Sequence, residues 1–419
     1  TPDPSTTEES SAASDVYKRQ YRTSEIGLAV GQSSGVGMRV NQGPGGMRAH
    51  GAKNLPRVPS KATLRCSPGR DPGPDSSTRY VGRNKGFDSM RILVGTRGGL
   101  YVVRWVHGER SAQVEESHFE GDDVRAIVPA GRSFYTAVSG HGVWKSEDQG
   151  RTWAQMTGPF DGHVIRSLAV SHRDPETLYA GTRPAALHVS QDGGTSWDEM
   201  TEFRVLGVRE AWQDTGDGVS RVETVAADPH DSSRLYAGVE IGGAYRSDDG
   251  GKTWAACNEG LFDEVHVLLP DPLDSSRVYA ATGGGFHISR DRGRKWTAHT
   301  GEPGKAYCTC LDAEFERGAR DSLLVMATAA GPPATWEGSR GDAKARLLVS
   351  RDSGETWEAF KTSTMGEKGA FTALATDRTA QQSGFIGTST GRLYYGNAVL
   401  GRWSKILYGL PRVQVLQVL

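Results

Sequence analysis

Residues Arg221–Trp254 read RVETVAADPHDSSRLYAGVEIGGAYRSDDGGKTW, and the order of the parts in this stretch decides the fold. An apolar run from Val222 to Ala227 is followed by a polar turn and a second run, Leu235-Tyr236-Ala237-Gly238. A glycine-rich turn leads to a third run, Ala244-Tyr245-Arg246. The tract Ser247-Asp249-Gly251-Trp254 then turns the chain into a fourth run that opens on the Trp. Four short β-type runs punctuated by Gly, Asp and Ser are the pattern of a sandwich or propeller. We label them A, B, C and D.

The pattern S-x-D-x-G-x-x-W recurs five times, with its aspartates at Asp148, Asp192, Asp249, Asp291 and Asp352. Asp and Ser side chains close turns by bonding to nearby backbone. Gly supplies a conformation that a Cβ would resist, and the Trp offers a large apolar plate to a neighbouring unit. These five aspartates are therefore read as structural. Successive boxed Trp residues lie 44, 57, 42 and 61 apart, so the basic period is in the low forties and two units carry insertions. Aligning on the B–C hairpin adds two unboxed units, Arg91–Thr96 with Gly99–Tyr101 and Trp105, and Gly384–Thr388 with Gly391–Tyr394 and Trp403. Seven four-stranded units of this period predict an all-β, seven-bladed β-propeller of antiparallel blades. The first unit lacks a strand A, and Arg412–Leu419 has strand A character, so the C-terminal strand is expected to close the ring and remove an exposed edge.

The propeller is assigned to residues 90–419, which hold 36 basic and 42 acidic residues. That acidic balance argues against nucleic acid as a partner. Residues 1–89 hold 13 basic and 8 acidic residues and are rich in Gly, Ser and Pro, a composition that reads as a disordered leader. Ser14–Gln20 resembles a sequencing-adapter remnant, and a native start is expected at Met90. No apolar run is long enough to span a membrane. No signal-peptide pattern precedes Met90, so a cytoplasmic, monomeric protein is expected. The four cysteines give a weak metal signal, Cys308 and Cys310 being placed on one side of a strand, and neither metal nor cofactor is expected.

Strand alternation sorts the loops onto two faces. The A–B and boxed C–D turns share one, and the D–A and B–C connections share the other. Both insertions, Phe203–Ser220 and Ala329–Ala343, fall on the second face, where function is expected. They carry Trp212 and Trp336, candidate platforms for a sugar or a protein partner. One equivalent position at the start of strand A, lining the central channel, is assigned to Arg125, Arg166, Glu223, His266, Cys308, Thr372 and Gln414. Neighbouring D–A loops add Asp122, Asp123, His163, Asp263 and Glu264, and B–C loops add Arg97, His141, Arg183 and Glu240. The binding set is Arg97, Arg125, His141, Arg166, Arg183, Trp212, His266 and Trp336. The carboxylates that glycoside hydrolysis would need are Glu210, Glu223, Glu240, Asp263 and Glu264.

The boxes, with B strands of the Leu-Tyr-Ala-Gly-Thr type, resemble the Asp-box, or bacterial neuraminidase repeat, β-propellers. That superfamily includes sialidases, xyloglucanases, sortilin-type receptors and photosystem II assembly factors. The resemblance implies the fold; sialidases have six blades and an Arg-Ile-Pro motif, whereas the nearest tract here is Arg91-Ile92-Leu93. Xyloglucanases set two propellers around a cleft and sortilin-type receptors add a disulfide-rich module, so a single ring looks most like the assembly factors. Two functions follow. The first is a non-catalytic scaffold binding a protein or an anionic or carbohydrate ligand on the loop-rich face. The alternative is a glycoside hydrolase using paired carboxylates.

Overall fold

The computed structural model describes residues 89–419, apart from 157–159, 161, 211, 213–218, 315–319, 337–340, 361–364, 378, 381 and 398–399. The leader assigned to residues 1–89 thus lies almost wholly outside the described residues. The described chain forms seven four-stranded antiparallel sheets, each in the order A-B-C-D. Blade 1 takes its strand A from the C-terminus: Val413–Val418 pairs with Ser89–Thr96, Val94 facing Leu416 and Gly95 facing Val415. The ring is closed as the repeat count implies.

Blades pack on one another through their faces. B strands are almost wholly buried; in Leu235–Val239 no residue is exposed. Burying a side chain such as Leu235 contributes about 1.5–3 kcal/mol. Outer D strands of blades 2–6 are two residues long and exposed, as at Ala255–Ala256, which keeps the outer edge too short to template aggregation. Each boxed Trp packs on the preceding blade: Trp197 joins Tyr135 and Val143 of blade 2, and Trp254 joins Tyr179 and Leu187 of blade 3. Trp105 departs from its assigned place. It lies in strand C (Gly99–Val106), and strand D of blade 1 is Gln113–His118. From strand C it still does the same job, stacking 4.2 Å from Tyr395 of blade 7.

The box works as its chemistry suggests. In blade 4, Ser247 Oγ donates to Asp249 Oδ1 at 2.8 Å and accepts the Gly251 N–H at 2.8 Å. Asp249 also accepts the Thr253 N–H (2.9 Å) and hydroxyl (2.6 Å), so the Thr or Ser before the Trp is an uncounted member of the motif in four of the five boxes. Gly251 sits at φ +89°, and a Cβ there would meet Met200 of blade 3 at 2.6 Å. Its turn and its neighbour both demand glycine.

Near the axis, each strand A carries one β-bulge facing strand B. Unpaired in the ladder are Arg125, Arg166, Glu223, His266, Thr309, Thr372 and Gln414. Six match the equivalent position read from sequence. The seventh is Thr309 rather than Cys308, which is fully buried. The bulge also moves Cys308 and Cys310 to opposite faces of their sheet, because one extra residue reverses side-chain alternation. Cys308 packs between blades 5 and 6, and Cys310 between blades 6 and 7. They form no metal pair, and no cluster of three ligating side chains occurs among the described residues.

On strand B the residue just past each bulge is Gly or Ala, at Gly95, Ala137, Gly181, Gly238, Ala281, Ala327 and Gly387. At Gly238 a Cβ would meet Val265 of blade 5 at 2.7 Å. Small residues there let the next strand A approach.

Two outcomes follow from closure and the box. Deleting residues 411–419 exposes the strand B edge of blade 1 and uncovers the face of blade 7 packed on Val413 and Leu416; thermal or urea unfolding should lose its single cooperative transition. Asp249→Ala should cost about 1 kcal/mol in urea unfolding with no change in slope. Its hydrogen bonds, led by that from Thr253, hold the folded carboxyl at about 2, against 3.8 ordinarily. That contribution is therefore present above pH 4 and lost as pH falls towards 2, so the stability gap between wild type and variant should narrow in acid.

Candidate binding site at the channel mouth

Bulges aim side chains out of the ladder, and here they bridge to the next blade. Arg166 pairs with Glu223, and Gln414 donates to Asp123. Thr309 Oγ1 donates to the Phe371 carbonyl (2.6 Å), Thr372 Oγ1 to the Val413 carbonyl (2.7 Å), and His266 Nδ1 lies 2.6 Å from the Cys308 carbonyl. Part of the expected solvent-facing ring is therefore occupied in joining blades. The charged arc runs over blades 1–4.

Two residues before each bulge lies a second row: Asp123, Val164, Arg221, Glu264, Tyr307, Ala370 and Arg412. Sequence reasoning missed Arg221, Tyr307 and Arg412 here. Placing Cys308 one step out of register hid Tyr307; Arg221 sits immediately before a recognised strand, and Arg412 opens one without being read as part of the site. Arg221 bridges Glu223 (2.8 Å) and Glu240, and Arg125 pairs with Asp123 at 2.6 Å. Arg97 lies in the B–C loop of blade 1, and Arg183 ends strand B of blade 3.

These guanidiniums feel one another. Burial, then Arg166, pushes Arg125 down to about 10, with Arg97 adding to the effect. Burial, then Arg97 and Arg125, brings Arg412 to about 10 as well. Burial penalises the charge on Glu223, but Arg166 and Arg221 outweigh it and hold the carboxyl below its ordinary value. The balance is electropositive.

The remaining candidates are dispersed. Glu264 is buried; its Oε1 accepts from Tyr307 (3.0 Å) and lies 3.3 Å from His266 Nε2. Burial opposes protonation of His266, and Glu264 more than reverses it, so the imidazole pKa is raised. His141 is exposed and lies 3.4 Å from Asp122. The Asp263 carbonyl accepts the Gly242 and Gly243 N–H groups. Glu210 ends helix α1 (Thr201–Glu210), and its side chain lies outside the described residues.

Neither loop Trp is an open platform, contrary to expectation. Trp212 is half-buried, 5.0 Å from Phe203, with its indole N–H donating to the Tyr245 hydroxyl. Trp336 is 4% exposed, donates to the Gly331 carbonyl (2.8 Å), and stacks under the Arg412 guanidinium at 5.5 Å. An insertion needs its own apolar anchor, and these indoles supply it.

Removing one partner of a part-buried ion pair leaves the other less well compensated; without Arg166, Glu223 keeps Arg221 as its paired cation. Arg166→Met should cost about 2 kcal/mol in urea unfolding, and Arg166→Met combined with Glu223→Gln should recover much of that loss. A double variant no more stable than the single one would show that the pair is not what Arg166 provides.

A family model described as "Sortilin, neurotensin receptor 3" matches residues 242–389. The oligoxyloglucan-reducing end-specific xyloglucanase of Emericella nidulans is 28% identical over 152 residues, 33% of this chain and 18% of that protein. The photosystem II assembly protein Ycf48 of Thermosynechococcus vestitus is 22% identical over 125 residues, 29% of this chain and 35% of that one. The matches thus span well under half the length of either relative. Among solved structures, the GH74 enzyme of Niastella koreensis superposes with a TM-score of 0.53 at 15% identity, covering 75% of this chain and 46% of that one. No described helix is long and apolar enough to cross a membrane. Taken with the seven four-stranded blades, these matches fit a BNR/Asp-box-like superfamily of β-propellers, in which glycosyl hydrolase labels recur.

Proposed function

We propose that this protein is a non-catalytic binding propeller whose loop-rich face holds an acidic segment of a protein partner. The observation that carries the reading is the arginine arc of blades 1–4, where burial first, and neighbouring guanidiniums second, lower the affinity of Arg125 and Arg412 for their protons. Such an arc attracts anions and is relieved by them. A general acid for glycoside hydrolysis needs a carboxyl held above its ordinary range. Glu223 is shifted the other way, and Arg221 ties it and Glu240 to one guanidinium. The match to a xyloglucanase keeps hydrolysis as the second reading, with Glu223, Glu240, Asp263 and Glu264 as its carboxyls.

The test titrates the full chain with a poly-glutamate peptide and, in parallel, screens aryl-glycosides and xyloglucan oligosaccharides for turnover. Binding should weaken with salt, and Arg125→Gln should weaken it about five-fold. Turnover that disappears in Glu223→Gln would overturn the binding reading in favour of hydrolysis.

A further inference from the structure

A cavity of about 250 Å³ opens on the loop-rich face where blades 6, 7 and 1 meet, away from the Arg166–Glu223 pair. Five connections build it. The blade 6 insertion brings Trp336, the blade 6 to 7 connection Lys368 and Gly369, the blade 7 B–C loop Ser389, the blade 7 to 1 connection Arg412, and the blade 1 B–C loop Arg97. Three cations from three different segments line it, and among the described residues no carboxylate does. A neighbouring acid, Glu367, is turned into a cluster of its own: it takes the Arg392 guanidinium (3.1 Å), the Thr390 hydroxyl (2.9 Å) and the Gly369 N–H (2.7 Å).

The walls are set rather than loose. Trp336 carries the Arg412 guanidinium on its face, and the Arg97 N–H donates to the Arg412 carbonyl at 3.0 Å, tying the two arginine backbones together. Ser389 Oγ accepts the Ala370 N–H at 3.0 Å, which leaves its hydroxyl hydrogen to be donated. A Cβ on Gly369 would come within 2.6 Å of that same Oγ, so the glycine keeps the floor clear.

We propose that this cavity binds a phosphoryl dianion carried by a small molecule. A carboxylate is a planar monoanion that one guanidinium fork satisfies. Three cations and a hydroxyl converging from separate segments suit instead a tetrahedral group with nearly two charges and three acceptor oxygens. The volume falls just below that of ordinary ligand pockets, which admits one compact group and excludes a polymer. The inference rests on the anion-binding reading of this face and shares Arg97 and Arg412 with the arginine arc, but adds Lys368 and Ser389 and a different ligand.

The experiment is calorimetric titration of the full chain with glucose 6-phosphate, inorganic phosphate, glucose and acetate. One or both phosphoryl compounds should bind, and glucose and acetate should not. Binding of the ester alone identifies an organic phosphate as the ligand; binding of both, or of inorganic phosphate alone, identifies the free anion; each supports the site. Lys368→Glu should weaken phosphoryl binding at least ten-fold with an unchanged melting temperature, since Lys368 is exposed. Lys252→Glu, on the boxed face, should leave the affinity as it was. Acetate binding as tightly as phosphate, no phosphoryl binding at all, or an affinity untouched by Lys368→Glu would each overturn the proposal. Phosphoryl binding that survives while poly-glutamate fails to bind would remove the partner reading alone. The reverse result would remove only this one.

Discussion

The structure depends on how closely seven strands can approach one axis. Where the blades converge, strand B must present Gly or Ala just past the strand A bulge, because the next blade's first strand lies in that space. Gly238 shows the tolerance, with Val265 already within van der Waals reach of a missing methyl. The bulge is the complementary device. Crowding near the axis leaves no ladder partner for one residue, and that residue is turned out to meet the next blade. Stability near the axis and the chemistry of the channel thus come from the same irregularity.

This shared origin explains why the channel residues divide into two kinds. Over blades 5–7, His266, Thr309 and Thr372 bond to carbonyls of the following strand A, a use that any propeller with these residues would make of them. Over blades 2–4 the same position carries charge, and the row before it adds Arg221 of blade 4 and Arg412 of blade 1. Guanidiniums this close together raise the energy of their own charged forms. Acids present at the site offset part of this, and the remainder is potential available to an anion. Burial and mutual repulsion among these cations both cost stability, a combination that natural folds tolerate more often at functional sites than elsewhere.

The boxed face has a different economy. Its aspartates accept local N–H and hydroxyl donors within their own turns, and its glycines and tryptophans fill space between blades. Little is left over for a partner. The two insertions, by contrast, were free to diverge because they hang from closed blades, and each carries one indole that anchors it. In the blade 6 insertion that anchor also steadies Arg412, so a packing residue comes to orient a charged one.

The repeat was legible in the sequence because its causes are local. A turn that needs Ser, Asp and Gly, a Trp after it, and two-residue alternation before it are all written within a few positions, and seven copies leave little choice of architecture. Ring closure was legible too, since one missing strand and one surplus strand must pair. Six of the seven bulge residues could be aligned for the same reason. Thr309 could not, because a bulge inserts one residue without marking which, and the apolar run at Cys308 fits either register. Which arginines share a field, which acids are tied to them, and whether Trp336 faces solvent or a guanidinium depend on residues tens to hundreds of positions apart. Only the tertiary structure decided those, because charge coupling and burial follow distance in space, and the chain by itself records distance along it.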